Sequence, residues 1–587
     1  MSNLIQQLKE QENHNSLFER EIRKLPVSVA EIFLKNDTIV PATFRKTDQV
    51  LGTGDVENVK KEFTKTVKLT ENKVLEGERG ELKVSGKRVA VLFSGGPAAG
   101  GHNVIAGLKK VLGKNNTLLG IKNGPKGLIE GKVFEIKEED IPRIINTGGF
   151  DFLGTDRTKI KTEEQFAAVR KTAKENKIDG IVVVGGDDSN TNAAILAEYL
   201  FDDKVQVIGV PKTIDGDLQI GDILPISFGF DTATKIYSEM VGNILQDTPS
   251  SRKYWHFIKL MGRSASHVAL EVALQTKAAV TLISEEVEAR KMTTSEIISS
   301  ICDVIAKRAA KGINHGVVIV PEGLIEFIPE MKVLIAELNE IMGKYSEDIE
   351  RISDFNEKKE FTYKKLTAES AKLMASLPDE IEKMLLLERD SHGNLQVSQI
   401  PTERLLIQMV EEKLKEMKRH PDECAHLHFS EAEFKKFSES KFSTNNHFFG
   451  YEGRCGVPTL FDAAYTFNLG LAAGSLILDG KTGYIASITD LDRGGRVIAL
   501  PLTGLLNIER RHGKDEMVIR KGLVEMNSPA FQFFEERRGV WAEEDHFSSP
   551  GPRQLWGPTS MQMPITVALN RGYSSIEFNL GKRITVG

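Results

Sequence analysis

The sequence predicts an α/β protein built on mainly parallel sheets, and three observations carry that expectation. From Lys87 onward, short β-branched runs alternate with helix-period stretches: RVAVLFSGG, GIVVVGGDD, VQVIGVPKT, HFIKLMGR, AAVTLI and GVVIVPEG each precede a segment such as NTNAAILAEYL or ASHVALEVALQT. The runs are apolar almost throughout rather than alternating, as strands covered on both faces are. Each run closes within a few residues on Gly or Pro, so the glycine-rich turns fall at the carboxyl ends of strands, where such sheets bind ligands.

The remaining segments follow in chain order. Residues 1–85 mix a helical SNLIQQLKEQ with charged stretches and read as an N-terminal extension wrapped on a core. Residues 324–445 are charged, nearly glycine-free and helix-periodic, which predicts a helical insertion interrupting the α/β core. The α/β pattern resumes at HFFGYEGRCGVPTLFDAAYTFNLGLAAG and runs to about residue 540, and the Pro/Gly-rich HFSSPGPRQLWGPTS onward, within 541–587, reads as a C-terminal extension against a neighbouring surface. GSLILDGKTGYIASI at 474–488 nearly imitates a phosphate loop, but its glycine spacing is one residue too long, and two strands joined by an Asp-Gly turn are expected.

Composition narrows the function. The chain has 587 residues, enough for roughly three or four structural units. With 77 Lys plus Arg against 83 Asp plus Glu, its net charge of -6 lacks the basic surface that general nucleic-acid binding needs. Three scattered cysteines make no disulfide framework and suit a reducing compartment. The N-terminal MSNLIQQLKEQENHN has no apolar signal core, and no run of about 18 apolar residues occurs, so a soluble cytoplasmic protein with no membrane partner is expected.

Three strand-end segments carry chemistry. VLFSGGPAAGGHNVIAGLKKVL at 91–112 leads a strand through Gly95, Gly96, Gly100 and Gly101 into a helix, an arrangement that brings backbone N–H groups to an anion. It is neither a dinucleotide fingerprint nor a Walker loop, and alone such a turn serves structure as often as ligand. VVVGGDDSNTNAA at 182–194 sets Asp187 where a carboxylate can hold Mg²⁺ against phosphate oxygens. The competing reading, a helix cap for a helix beginning near Asn190, suits one aspartate better than a pair. GVPKTIDGDLQIGD at 209–222 crowds Lys212, Thr213, Asp215 and Asp217 into six residues, a base with orienting neighbours and a phosphate ligand, or else a solvated Asp-Gly turn. RHPDECAHLH at 419–428 offers zinc-type side chains, but its spacing matches no standard structural site, and solvated side chains are expected there.

SGGPAAGGHN, GGDDSNT, PKTIDGD, KLMGR, VPEG and YEGR stand in the order and spacing of the phosphofructokinase family, over about residues 88–323 and 446–490. The sequence resembles the family's long, pyrophosphate-dependent branch. The resemblance implies two three-layer αβα domains: a donor domain over 86–227 and 456–540, and a fructose 6-phosphate domain over 228–323 and 446–455. It implies transfer of a phosphoryl group from pyrophosphate to the 1-hydroxyl of fructose 6-phosphate, with Mg²⁺ as cofactor. Gly95 matches a donor contact and Asp187 the Mg²⁺ ligand. Asp215 matches the base on the sugar hydroxyl, with Thr213 and Ile214 beside it and Asp217 in support. Met261, Gly262 and Arg263 match the segment that touches substrate and steadies the transferring phosphoryl, and Glu322 a sugar-hydroxyl ligand. Tyr451, Glu452, Gly453 and Arg454 match the fructose-phosphate pocket. Lys253 and Tyr254 match positions lent to a neighbouring subunit, which implies a homodimer with shared active sites. Arg157, in NTGGFDFLGTDR, is a further candidate donor contact. Ala99 departs from a common Pro, a change in loop stiffness rather than chemistry.

The paired aspartates then acquire a reason. ATP-dependent relatives have glycine where Asp188 and Lys212 stand. A carboxylate at Asp188 fills the α-phosphate position and repels it, while Lys212 stabilises the phosphate that leaves pyrophosphate. An ATP-dependent enzyme and a catalytically silent regulatory subunit of the same fold are the alternatives. Asp188 with Lys212 disfavours the first; Asp187, Asp215 and Arg263 disfavour the second.

Overall fold

A computed structural model describes residues 9, 17–387, 400–511, 514–547, 550 and 563–586. The helix expected in SNLIQQLKEQ, apart from Lys9, and most of the HFSSPGPRQLWGPTS segment lie outside the described residues. The chain divides into two compact units: Met1–Ile236 with Tyr451–Gly522 and Arg553–Gly587, and Tyr237–Gly450 with Leu523–Pro552.

In the first unit, five parallel strands lie side by side in the order Tyr484–Thr489, Gln206–Thr213, Gly180–Gly185, Arg88–Ser94 and Thr117–Ile121. The burial of every residue of Gly180–Gly185 explains why that run is apolar without alternation. Antiparallel strands finish both edges. Val133–Glu135 closes one, and Arg496–Pro501, Lys73–Arg79 and Ala42–Val50 extend the other. The N-terminal extension therefore supplies two strands to the sheet and covers an edge that would otherwise be open to pairing.

Two helices pack on this sheet at unusually short range. A Cβ on Gly107, in Gly101–Leu112, would lie 2.1 Å from the Phe467 carbonyl oxygen, and one on Gly470, in Leu460–Leu478, 2.3 Å from that of Val104. Only glycine permits that crossing, since any side chain would enter the partner's backbone. Leu460–Leu478 is long and apolar enough to cross a membrane by composition, yet it is wholly buried inside the unit.

The hairpin expected at 474–488 is instead the end of this helix, a turn and the strand Tyr484–Thr489. The Asp-Gly pair closes the helix: Gly480 takes φ +73°, and the Lys481 N–H reaches back to the Leu476 carbonyl. Thr459, whose side chain accepts the Asp462 N–H, starts the helix far enough upstream that LILDG is its last turn.

The second unit holds a four-stranded parallel sheet in the order Val280–Thr281, Gly316–Pro321, Trp255–Leu260 and Thr444–Phe449. The described residues of 324–445 fold mainly into successive helices, several begun by side-chain caps such as Asp354, Thr367 and Ser430. They share one core with the sheet: Leu406, Val410 and Leu414 of Thr402–Arg419 belong to the same buried cluster as Trp255, Ile301 and Val318. Leu523–Pro552, expected with the donor domain up to residue 540, belongs to this unit, because Arg538 of its helix Pro529–Glu543 grips both Glu286 oxygens at 2.7 Å and Lys311 reaches Glu543. In the His/Cys run, the Cys424 thiol meets the Met417 carbonyl and His426 Nε2 lies 2.9 Å from Asp303. Those pairings are ordinary packing and surface contacts.

Candidate active site

Register brings the three sequence segments together in the first unit. Phe93 pairs with Val184 and Gly185 with Pro211, so the strands beside them end at one level. The turn after Ser94, the helix beginning at Asp187 and the loop after Thr213 therefore emerge side by side.

The glycine turn is ringed by cations. Gly95 has φ +87°, and a Cβ there would lie 3.3 Å from the Lys212 ammonium. A Cβ on Gly96 would lie 3.6 Å from Arg157 Nη2 and 3.7 Å from Arg454 Nη1. Lys212, 6% exposed, donates to the Gly96 carbonyl at 2.8 Å. Burial lowers the Lys212 ammonium to about 8, opposed by the charges of Asp215, Asp217 and Asp187 and reinforced by Arg157. Arg454 thus stands with the donor turn within the first unit, and its guanidinium lies 4.4 Å from the Tyr451 ring. Tyr451, Glu452, Gly453 and Arg454 form a short helix in this unit, whereas the family resemblance implies a place in the fructose 6-phosphate domain.

Opposite charges gather beside the cations. The helix Asp187–Tyr199 starts at Asp187, three residues before the expected start, with Gly186 as its N-cap and no side-chain cap. Asp187 and Asp188 thus occupy the first turn and leave the cap position to Gly186. Asp187 lies 3.8 Å and Asp217 3.6 Å from one ammonium, that of Lys521. Burial raises the Asp187 carboxyl, against the pull of Lys521 and with a push from Asp188 and Asp217. The Thr213 hydroxyl accepts the Asp215 N–H at 3.0 Å, a local turn that sets the Asp215 backbone immediately beyond the strand; Ile214 between them is buried.

Whether these residues fit Mg²⁺ is decided by their donor chemistry. Among the described residues no three His, Cys, Asp or Glu side chains converge on a common point. Asp187 and Asp217 offer hard oxygens on either side of a position already suited to a cation. Mg²⁺ is held by one or two carboxylates together with phosphates and waters, so the pair fits an ion that arrives with a phosphate donor.

The second unit presents the other set. Met261, Gly262 and Arg263 follow the strand Trp255–Leu260, and Glu322 follows its neighbour Gly316–Pro321. The Glu322 carboxylate accepts the Gly262 N–H at 2.9 Å, and the Met261 N–H bonds the Phe449 carbonyl. Gly262 at φ +138° makes the turn that aligns its N–H with Glu322. Lys253 and Tyr254 stand at the opposite end of the six-residue strand. A strand of that length spans about 20 Å, so within one chain the structure does not bring them to Met261 and Glu322.

No motif in the sequence marks Lys521. It follows the hairpin Leu506–Arg511 and Lys514–Ile519, some 300 residues beyond Asp217, in a stretch with no glycine-rich turn or motif to mark it.

Parallel strand ends that present a glycine turn, a buried lysine and clustered carboxylates have the chemistry to hold phosphate groups. The phosphofructokinase family model matches residues 88–477. The pyrophosphate–fructose 6-phosphate 1-phosphotransferase of Treponema pallidum is 47% identical over 508 residues, covering 85% of this chain and 86% of that protein. The enzyme of the same name from Porphyromonas gingivalis is 47% identical, covering 82% of this chain and 86% of its own. Subunit beta 1 of the Arabidopsis thaliana enzyme is 47% identical, covering 83% of each chain. The chain belongs to the phosphofructokinase family.

Proposed function

We propose that this chain transfers a phosphoryl group reversibly from pyrophosphate to the 1-hydroxyl of fructose 6-phosphate, giving fructose 1,6-bisphosphate and phosphate. The names of its relatives support the substrates. The observation that carries the choice of donor is buried Lys212 beside the glycine turn, with Asp188 in the first turn of the helix that follows the neighbouring strand. An anion reaching Asp188 with a third phosphate would meet a fixed negative charge. At about 4 Å and an effective dielectric near 20 that repulsion is about 4 kcal/mol as an upper bound. A donor of two phosphates stops short of it.

Asp215 takes the proton of the 1-hydroxyl as the oxygen attacks one phosphorus in line. The bond from that phosphorus to the bridging oxygen breaks, and its electron pair leaves on the departing phosphate. Lys212, with Arg157 and Arg454 beside Gly96, neutralises that charge, and Arg263 steadies the transferring group. Magnesium, when bound, would be held by Asp187 with Asp217 alongside and would supply charge neutralisation on the donor oxygens. Asp217 supports the loop, and Glu322, oriented by the Gly262 N–H, binds a sugar hydroxyl. Lys253 and Tyr254, remote from Met261 along their strand, serve a second copy in a homodimer, and the enzyme works in the cytoplasm.

The test is formation of fructose 1,6-bisphosphate by the purified protein, with pyrophosphate and with ATP as alternative donors. Turnover with pyrophosphate alone is expected. Preferential turnover with ATP, or none with either, would refute the reading.

A further inference from the structure

We infer that Lys521 is a donor-specificity residue: its ammonium holds Asp187 and Asp217 together until the metal-bound donor arrives, then moves onto the pyrophosphate. The inference rests on the function proposed above and adds to it a residue that no strand-end motif contains.

The placement is built from both sides. Ile519 donates its N–H to the Thr191 hydroxyl at 3.0 Å, and that hydroxyl bonds the Asp187 carbonyl at 2.9 Å. Gly522 donates its N–H to the Asp217 carbonyl at 2.6 Å, and a Cβ on it would lie 2.9 Å from Gln219 Cγ. The segment carrying Lys521 is thus pinned on one side to the helix of Asp187 and on the other to the loop of Asp217. Its hairpin is tied down further where Glu516 meets Lys159 at 2.8 Å. A lysine delivered this way to 3.8 Å from one carboxylate and 3.6 Å from the other is a placed charge.

Charge balance gives the role. Among the described residues, the first unit sets four carboxylates here, Asp187, Asp188, Asp215 and Asp217, against Lys212, Arg157, Arg454 and Lys521. Lys212 and the two arginines stand at the glycine turn, Lys212 also feeling the charges of Asp215, Asp217 and Asp187, while Lys521 is set 3.8 Å from Asp187 and 3.6 Å from Asp217. Two carboxylates around one ammonium cannot also take a divalent ion at that point without displacing it. An anionic donor arriving with the metal offers the displaced ammonium a new partner. Lysine suits such a move, being a point charge on a flexible stem.

Two readouts of the full-length protein with Lys521→Gln test this. Mn²⁺ alone, followed by electron paramagnetic resonance, should bind roughly ten-fold more tightly to the variant, because the competing ammonium is gone. The KM for pyrophosphate should rise roughly ten-fold or more while the KM for fructose 6-phosphate stays within about two-fold. Lys521→Arg should restore the pyrophosphate KM in large part. Unchanged Mn²⁺ affinity overturns the inference, as does an unchanged pyrophosphate KM or an equal rise in both KM values. If the wild-type protein does not use pyrophosphate at all, the proposed donor is wrong, and the Mn²⁺ comparison still decides what Lys521 does at the carboxylates. Should Lys521→Gln fold poorly, Lys521→Met carries both readouts.

Discussion

Lys212 should make activity and stability respond to alkali in opposite directions. Its ammonium is buried and falls from 10.5 to about 8, which at about 1.4 kcal/mol per decade is about 3 kcal/mol against the charged form. The charged form is the one that meets a leaving phosphate. Because kcat/KM reports groups of the free enzyme, kcat/KM for pyrophosphate should fall about ten-fold per pH unit above about pH 8. Stability moves the other way. Between about pH 8 and 10.5 the folded protein has released this proton while the unfolded chain still holds it. The unfolded state then binds more protons, so stability rises with pH across that window, by up to about 3 kcal/mol.

Lys212→Met removes both effects. The variant should lose roughly two orders of magnitude in kcat/KM for pyrophosphate, show no alkaline limb near pH 8, and be no less stable than wild type at neutral pH. The assay is a pH series of initial rates paired with thermal unfolding of both proteins, taking the difference between them so that other lysines cancel. A wild-type rate flat to pH 10, or an alkaline limb that survives in Lys212→Met, would refute the reasoning.

Asp188→Gly should admit ATP as a donor and weaken pyrophosphate use, and an unchanged donor preference would remove the electrostatic account of the paired aspartates. Asp215→Asn should lower kcat by roughly 10²–10⁴-fold with the fold intact by circular dichroism; near-normal turnover would place the base elsewhere. Chelation of divalent ions should abolish turnover and Mg²⁺ should restore it, while full activity in chelator would show that Asp187 and Asp217 hold no required ion. Gly107→Ala places a Cβ 2.1 Å from a backbone oxygen and should cost about 3 kcal/mol or more, read as a lowered unfolding midpoint; wild-type stability would mean the two helices can separate there.

Much of this site was legible along the chain. All six apolar runs from RVAVLFSGG to GVVIVPEG fold as strands, and the glycine turn, the aspartate pair and the Lys212–Asp217 loop each sit at a strand's carboxyl end. Those features are local: burial on both faces writes itself as unbroken apolar runs, and turns demand glycine. The 474–488 segment shows the limit of local reading, because an Asp-Gly pair closes a helix as readily as it turns a hairpin. Thr459, fifteen or more residues upstream, decides which.

The sequence by itself determined which chemical groups this protein carries to its strand ends and in what order. Only the tertiary structure decided that Arg454 lies beside Gly96, that residues 42–79 complete the sheet, and that Lys521 comes to rest on Asp187 and Asp217. Those partners are separated by hundreds of residues. Backbone preference acts over a few residues, whereas the meeting of distant charges follows from how whole segments bury their apolar faces.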